Sequence, residues 1–244
     1  MSPEDRPRTT PFVALTRHGP PLGASLPQTT LRFDPQRVAD AAFLLRLRAL
    51  DEAFFGPRGQ AMPSWVLYDC ALAPGLVAGL AARAADLPGA SGANASDDEL
   101  VPVAMVTLLP LPSTSRQLVH TLAWRGDVSF ARAALELADL ASGSSPLRVI
   151  AGWSSPELAL FAERGPLRLI TAWTPAHDVL ATVTADLDPG ATPDLELDRL
   201  AVPPEPTDTD GLQALQAALE AGEPRYLVAT GAGFRLATPR EVTP

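Results

Sequence analysis

The sequence contains no lysine, so all nineteen basic residues are arginine. Without a lysine amine, the chain has no side chain that forms a Schiff base, and lysine-dependent mechanisms are excluded. There is one cysteine, Cys70, which excludes an internal disulfide and a cysteine-cluster metal site. Asparagine occurs once and isoleucine twice. Because these residue types share AT-rich codons, the composition indicates a GC-rich, bacterial-type genome.

Long apolar runs are also missing. The longest nearly uncharged run, 100–112, is too short to cross a bilayer and contains proline, so we expect no transmembrane helix. Residues 1–30 lack the apolar core of a signal peptide. No two of the three histidines, His18, His120 and His177, have the spacing of metal ligands. We therefore expect a cytoplasmic protein with no metal and no membrane partner.

The net charge of −9 is concentrated in one segment. Between Asp186 and Asp210 there are eight acidic residues and one basic residue, Arg199. The acidic balance argues against nucleic acid and anionic lipid as partners. The proline-containing stretch 189–210 is predicted to be a solvated, extended linker. The alternative is that residues 186–210 bind a protein partner.

Apolar periodicity predicts the first helix. It should begin at Asp34-Pro35 and end at Gly56-Pro57. Its apolar stripe is predicted at Val38, Ala42, Leu45 and Ala49, widened by Phe43 and Leu44. Residues 1–33 show no period and are predicted to be irregular. Further helices are predicted at 130–142, 155–165 and 212–219. Strands are predicted at 65–70, 76–81, 101–109, 147–153, 167–173, 179–187, 226–230 and 234–237.

Residues 146–154 recur twenty positions later as residues 166–174, with a predicted helix between the two copies. A strand, a helix and a strand within some thirty residues require a crossover connection, so the two strands should run parallel. The strand at 179–187 should pair antiparallel with its predecessor. The fold class is therefore α/β, with a mixed, mostly antiparallel sheet flanked by helices. The predicted domain covers 34–188, and a helix and hairpin at 211–244 follow the linker.

The order helix, hairpin, long strand, helix, strand, helix, strand, strand over 34–188 resembles the GCN5-related N-acetyltransferase (GNAT) fold. The best local match is Ser154 to Gly165, which resembles the family's fifth strand, fourth helix and helix-ending glycine. The hairpin around Pro74-Gly75 is similar to its second and third strands. The resemblance implies an N-acyltransferase-like protein that uses acetyl-CoA or another acyl-CoA. Its acceptor would be a small amine or hydroxyl compound.

In that family, a glycine-rich turn at a helix N-terminus holds the cofactor's pyrophosphate through backbone N–H groups. The resemblance assigns this role to Arg125, Gly126, Asp127, Val128 and Ser129, with Leu108 on the strand 101–109. Val128 stands where the family has glycine, and Asp127 adds negative charge. Residues 113–124 are interpreted as an insertion between strand and turn, and Phe161 stands where the family often has a general-acid tyrosine.

Two side chains are candidates for the base that removes the acceptor's proton. Asp69 lies at the end of the predicted strand 65–70, and His177 lies in the turn after 167–173. Each has a structural alternative as an ordinary turn residue. The rival hypothesis is a non-catalytic ligand-binding or protein-interaction module on the same fold. A third is hydrolysis or decarboxylation in an apolar pocket, which needs the two side chains within roughly 6 Å of each other.

Overall fold

The computed structural model describes residues 7–14, 26–72, 75–87, 99–153, 155–172, 182–188, 190–231 and 233–240. The chain divides into two compact units. Unit 1 comprises residues 1–110 and 120–144, and unit 2 comprises residues 111–119 and 145–244. The predicted positions His18, Pro74 and His177 lie outside the described residues.

Unit 1 is built on the strands β1 to β5, which are hydrogen-bonded in the order β2-β1-β3-β4-β5. Their bounds are β1 Thr9–Ala14, β2 Leu31–Phe33, β3 Leu76–Arg83, β4 Leu100–Leu111 and β5 Arg116–Trp124. β1 is parallel to β2 and antiparallel to β3, and β3 is antiparallel to β4. The irregular structure predicted for 1–33 is therefore wrong at β1 and β2, because the apolar segment Phe12–Ala14 is buried beside β3.

Three α-helices belong to unit 1. Their bounds are α1 Ala41–Phe55, α2 Ser64–Ala71 and α3 Ser129–Ser142. A 3-10 turn, Val38–Asp40, precedes α1, and a second one, Gly56–Arg58, follows it. The end of α1 at Gly56 and the end of α3 at Gly143 are where the sequence predicts them. Gly143 has φ +72°, the left-handed conformation that commonly ends a helix.

Unit 2 contains the first residues of β5 and the strands β6 to β10, in the order β5-β6-β8-β7-β9-β10. The bounds are β6 Leu147–Gly152, α4 Pro156–Ala162, β7 Leu167–Thr171, β8 Thr182–Leu187, α5 Thr209–Glu220, β9 Tyr226–Thr230 and β10 Gly233–Ala237. β6 and β7 both pair antiparallel with β8, so they run parallel to each other as predicted. The predicted fold class, a mixed and mostly antiparallel sheet flanked by helices, is confirmed.

The segment 65–70 is a helix and not a strand. Leu67, Cys70 and Ala71 are buried, and this spacing of three and four residues places them on one face of α2. Pro63 sits just before the helix, where its missing N–H costs no hydrogen bond. β3 therefore pairs with β1 and β4 instead of forming the predicted hairpin with 65–70.

The segment 113–124, interpreted from the sequence as an insertion, contains the strand β5. A short turn joins it to β4, closed by the Thr114 N–H donating to the carbonyl of Leu111 at 3.0 Å. Ser115 takes the left-handed conformation, with φ +53°. β5 is hydrogen-bonded to β4 on one side and to β6 on the other. Residues 116–124 are therefore a strand of the sheet and not an insertion.

The acidic segment also differs from the prediction of a solvated linker. Ala201 and Leu236 exchange two backbone hydrogen bonds, of 2.8 and 2.9 Å, and the Glu196 N–H donates to the carbonyl of Thr238. Leu195 is buried. Residues 194–201 therefore lie along the outer edge of β10, where they satisfy backbone groups that an edge strand leaves open. Because prolines and charges dominate this segment, the sequence did not indicate that Leu195 is buried.

None of the helices among the described residues is both long and apolar enough to span a bilayer.

One acidic side chain is buried in the core of unit 1. Asp51 on α1 is 1% exposed, its Oδ2 accepts a hydrogen bond from the Met62 N–H at 2.6 Å, and its Oδ1 has no partner among the described residues. Burial raises the pKa of Asp51 above the ordinary value, an effect that the Met62 hydrogen bond opposes. The native fold therefore favours the protonated carboxyl group.

This buried carboxyl predicts a specific pH dependence. Because the folded-state pKa is raised, the contribution of Asp51 to the free energy of unfolding is present below its unfolded pKa and is lost as the pH rises through the folded value. We expect Asp51→Asn to remove this loss, so that stability measured by urea unfolding from pH 4 to 7 falls less steeply than in the wild type. Glu136→Gln, at an exposed position on α3, is the control. If the free energy of unfolding depends on pH in the same way in the wild type and in Asp51→Asn, the raised pKa of Asp51 is contradicted.

Candidate functional site

The predicted cofactor turn follows β5 directly. Trp124 ends the strand, residues 125–128 form the turn, and α3 begins at Ser129. Gly126 has φ +71°, and the position of a Cβ there would have no atom within 4 Å. The Arg125 N–H donates to the carbonyl of Val103 at 2.9 Å, which fixes the start of the turn to β4. The turn is therefore an anchored strand-to-helix connection with open space at its glycine.

Asp127 caps the N-terminus of α3. Its Oδ1 accepts a hydrogen bond from the Ser129 N–H at 2.8 Å, and its carbonyl accepts one from the Phe130 N–H at 3.1 Å. A carboxylate at this end of a helix is stabilised by the helix dipole. The same charge occupies one N–H and repels an anion that approaches the turn. Asp127 thus stabilises α3 and lowers the affinity of the turn for a phosphate.

α3 holds the turn in a fixed position. One face of this 14-residue helix is buried, through Phe130, Ala131, Ala134, Leu135, Leu137, Ala138 and Ala141. Phe130 and Ala134 pack in a cluster with Leu80, Ala82 and Val103 of the sheet. Because the first turn of the helix is part of this core, the N–H groups at 126–129 are oriented before any ligand arrives.

Leu108 is not part of this turn. It lies on β4, is 1% exposed, and pairs with Leu76 of β3. Its prediction as a cofactor residue rested on the assumption that 101–109 is the strand leading into the turn. That strand is β5, so the assumption was wrong, and Leu108 is a core residue.

The two predicted bases are not brought together in the described structure. Asp69 is exposed on α2, so its predicted place at the end of a strand is wrong. Its neighbour Cys70 is fully buried, and burial raises the pKa of the Cys70 thiol to about 11, which keeps it protonated at neutral pH. His177 lies outside the described residues.

Two large aromatic side chains are buried in unit 2. Trp153 is 5% exposed, and its Nε1–H donates to the carbonyl of Ala172 at 2.8 Å. Phe161 is 2% exposed on α4. Both pack in the interior of unit 2, and Phe161 offers no hydroxyl group for proton transfer.

Sequence reasoning missed an aromatic cluster in unit 1. Trp124, directly before the turn, contacts Phe54 with ring centroids 4.5 Å apart, and Phe54 contacts Phe55 at 4.8 Å. The Arg58 guanidinium carbon lies 5.0 Å from the centroid of the Phe54 ring. The Phe-Phe pair at the end of a helix and the tryptophan before Arg125 are visible in the sequence. Their contact depends on the position of β5, which was not predicted.

Unit 2 also contains an open cavity of about 1000 Å³. It is bounded by residues 162–166 after α4, by 192–200 of the acidic segment, and by 228–230 of β9. Its lining includes acidic and basic side chains, among them Asp194 and Arg240 with 3.8 Å between their closest charged atoms. None of the predicted site residues that the structure describes lines it. Within the described ranges, no group of three or more histidine, cysteine, aspartate or glutamate residues has a metal-binding arrangement.

Comparison with known proteins gives similarity at the level of structure. No family model and no curated protein matches the sequence. The chain is similar to the crystal structure of an aminoglycoside 6'-acetyltransferase type Ii, with 11% identity and a TM-score of 0.46 over 66% of this chain and 97% of that chain. It is also similar to the ribosomal-protein-S18-alanine N-acetyltransferase from Escherichia coli, with 13% identity and a TM-score of 0.43 over 64% and 92%.

A third similar structure is a chain of the NatC complex bound to Gag peptide and CoA, with 12% identity and a TM-score of 0.42 over 64% of this chain and 96% of that chain. The fold of the present chain is GNAT-like in the order of its own elements. A helical segment is followed by β3, β4 and β5, then by α3, β6, α4, β7 and β8. Conclusions about a ligand depend on the residues of this chain.

Proposed function

We propose that the protein binds an acyl-CoA at the turn between β5 and α3 and acts as an N-acyltransferase-like enzyme on a small amine or hydroxyl acceptor. The observation that carries the proposal is the turn itself. An anchored strand leads through Gly126, at positive φ and in open space, into the N-terminus of a long buried helix. Such a terminus presents N–H groups and a positive dipole end, which favour phosphate.

The residues of the turn fit a pyrophosphate group, with one opposing charge. The open space at Gly126 lets the backbone approach an anion closely, and Arg125 is exposed beside it. Asp127 opposes binding because its carboxylate already accepts the Ser129 N–H. We infer that Gly126 and Val128 supply backbone N–H groups and that Arg125 supplies positive charge. When bound, the acyl-CoA would supply the acyl group as a thioester.

Proton removal from the acceptor is assigned to Asp69 or His177. Asp69 is exposed on α2, so solvent and a small acceptor reach its carboxylate. A carboxylate or imidazole that takes the proton makes the amine or hydroxyl oxygen a stronger nucleophile. The assignment is tested by Asp69→Asn and His177→Gln separately. The variant of the residue that takes the proton should lower the rate of acyl transfer without changing acyl-CoA affinity, and the other variant should keep the wild-type rate. Wild-type rates in both variants would overturn the assignment.

Binding is tested by calorimetric titration of the purified protein with acetyl-CoA and with longer acyl-CoAs. We expect saturable binding with one site per chain. The absence of binding up to millimolar concentrations would contradict the cofactor assignment.

Removal of the Asp127 charge should strengthen binding. Asp127→Asn keeps a side-chain oxygen that accepts the Ser129 N–H but removes the negative charge from the turn, so we expect the affinity for CoA to rise about two- to tenfold at low salt. The gain should shrink as ionic strength increases. Asp208→Asn is the matched control, because Asp208 caps α5 through the Gly211 N–H at 2.9 Å. Unchanged or weaker CoA binding in Asp127→Asn would place the pyrophosphate elsewhere.

A second candidate function is a non-catalytic binding module. It is favoured by Phe161, which is buried and has no hydroxyl where the family often has its general acid. Under this hypothesis, a protein partner binds the acidic segment 186–210. Asp194 and Asp198 are exposed and can contact a partner, whereas Asp186 is buried in ion pairs. CoA binding without release of free thiol in the presence of amine acceptors would select this function.

A further inference from the structure

The aromatic cluster beside the turn has an arginine stacked on it. The guanidinium carbon of Arg58 lies 5.0 Å from the centroid of the Phe54 ring and 5.9 Å from that of Phe55. The Phe54 ring in turn lies 4.5 Å from the Trp124 ring, at an interplanar angle of 44°. These two distances place the guanidinium no more than about 10 Å from the centroid of the Trp124 ring.

Local structure explains why these groups meet. Phe54 and Phe55 are the last two residues of α1, and Arg58 ends the 3-10 turn that follows. Gly59, with φ +68°, then turns the chain away, and its N–H donates to the carbonyl of Gly56 at 2.9 Å. Trp124 is the last residue of β5, one position before Arg125. All of these residues belong to unit 1.

The cluster combines a stacking surface with positive charge. The three rings are half-buried, whereas Arg58 is exposed, so the guanidinium group covers the rings and is itself accessible to solvent. A planar guanidinium stacks on aromatic rings and also on nucleic-acid bases. Arg125 lies in the turn and Arg58 on the aromatic cluster that includes Trp124, so two positive charges flank Trp124, which favours a ligand with phosphate groups. A planar base attached to phosphate satisfies both features.

We infer that Arg58, supported by Phe54 and Phe55, is the surface on which the adenine ring of the acyl-CoA stacks. The inference rests on the proposed function, because it takes the pyrophosphate to lie at the turn. The adenine then lies on the α1 side of that turn. Arg58 recognises the shape and electron-rich face of the base, and its charge is close to the nucleotide phosphates.

The test separates stacking from charge with two variants of one residue. Arg58→Ala removes both properties, whereas Arg58→Lys keeps the charge and removes the planar group. Arg48→Ala is the matched control, because Arg48 is an exposed arginine on α1, the helix that carries Phe54 and Phe55. Dissociation constants are measured calorimetrically for CoA, for adenosine 3′,5′-bisphosphate and for inorganic pyrophosphate, and thermal unfolding of each variant verifies that it is folded.

We expect Arg58→Ala and Arg58→Lys each to weaken the binding of CoA and of adenosine 3′,5′-bisphosphate by about tenfold, the usual effect of losing one stacked base. Arg48→Ala should change either constant less than twofold, and Arg58→Lys should leave pyrophosphate binding unchanged. If the wild type binds CoA and both Arg58 variants match Arg48→Ala, the adenine assignment is overturned and the proposed function stands. If the wild type binds neither CoA nor pyrophosphate, the proposed function fails as well.

Discussion

Asp186→Ala is expected to lower the free energy of unfolding by about 3–5 kcal/mol, the usual cost of removing one partner of a buried ion pair. Asp186 on β8 is 3% exposed and accepts hydrogen bonds from Arg148 at 2.8 and 3.1 Å. Its other ion-pair partner is Arg116 on β5, at 3.2 Å. Loss of this carboxylate leaves two largely buried guanidinium groups without their shared anion.

The matched control is Asp188→Ala. Asp188 also binds Arg116, at 2.6 and 3.1 Å, but its side chain is 39% exposed, so solvent screens the pair. The hydrogen bond from Arg116 to Asp188 raises the pKa of the guanidinium, which stays charged at any working pH. We expect a loss of about 1 kcal/mol or less for Asp188→Ala in urea unfolding. Equal losses for the two variants would show that burial does not control this network.

Leu47→Ala is expected to destabilise the protein by about 2–5 kcal/mol, whereas Leu45→Ala should change stability by no more than about 0.5 kcal/mol. Leu47 is fully buried in the cluster that joins α1 and α2 to the sheet. Leu45, on the same helix, is 64% exposed. The same chemical change therefore creates a cavity at one position and removes only exposed surface at the other.

Chemical denaturation of both variants measures the difference directly, and the slope of unfolding against urea verifies that neither changes the denatured state. A larger loss of unfolding free energy for Leu45→Ala than for Leu47→Ala would show that the stripe predicted from the sequence is the buried one. The structure instead places Val38 and Leu45 in solvent, at 93% and 64% exposure.

The prediction for the first helix is right at Phe43 and wrong at Val38 and Leu45, because the segment has two apolar stripes. One contains Val38, Ala42, Leu45 and Ala49, and the other contains Phe43, Leu47 and Leu50. Both satisfy helical spacing, and periodicity alone does not decide which one faces the sheet. The buried stripe is the one with the larger side chains, which bury more apolar area per residue.

The directions of β6, β7 and β8 in unit 2 were easier to predict than the strand β5. The repeat of residues 146–154 at 166–174 marks two strands in similar surroundings, and the intervening helix begins with Ser155, whose hydroxyl accepts the Leu158 N–H. The missed strand β5 follows a run of proline and serine residues that are typical of turns. These residues form the short connection between β4 and β5. Because they are typical of turns, the sequence indicated an irregular segment and not a strand at 116–124.

For the candidate site, the sequence could indicate the turn but not its surroundings. The family resemblance assigned Gly126 to the turn, and the helix was predicted from residue 130, one position after its observed start at Ser129. The hydrogen bond from the Ser129 N–H to Asp127 depends on side-chain orientation, which has no sequence signature of its own. The contact of Trp124 with Phe54 joins residues seventy positions apart and requires the folded sheet.

The central claim is that the backbone at 126–129 binds the pyrophosphate of an acyl-CoA. It is tested most directly by nuclear magnetic resonance of the ¹⁵N-labelled protein during titration with CoA, because each amide reports on its own surroundings. We expect saturable shifts that are largest for the amides of Gly126 and Val128, and the same shifts with pyrophosphate alone. Saturable shifts that leave these amides unchanged and cluster around the cavity of unit 2 would contradict it.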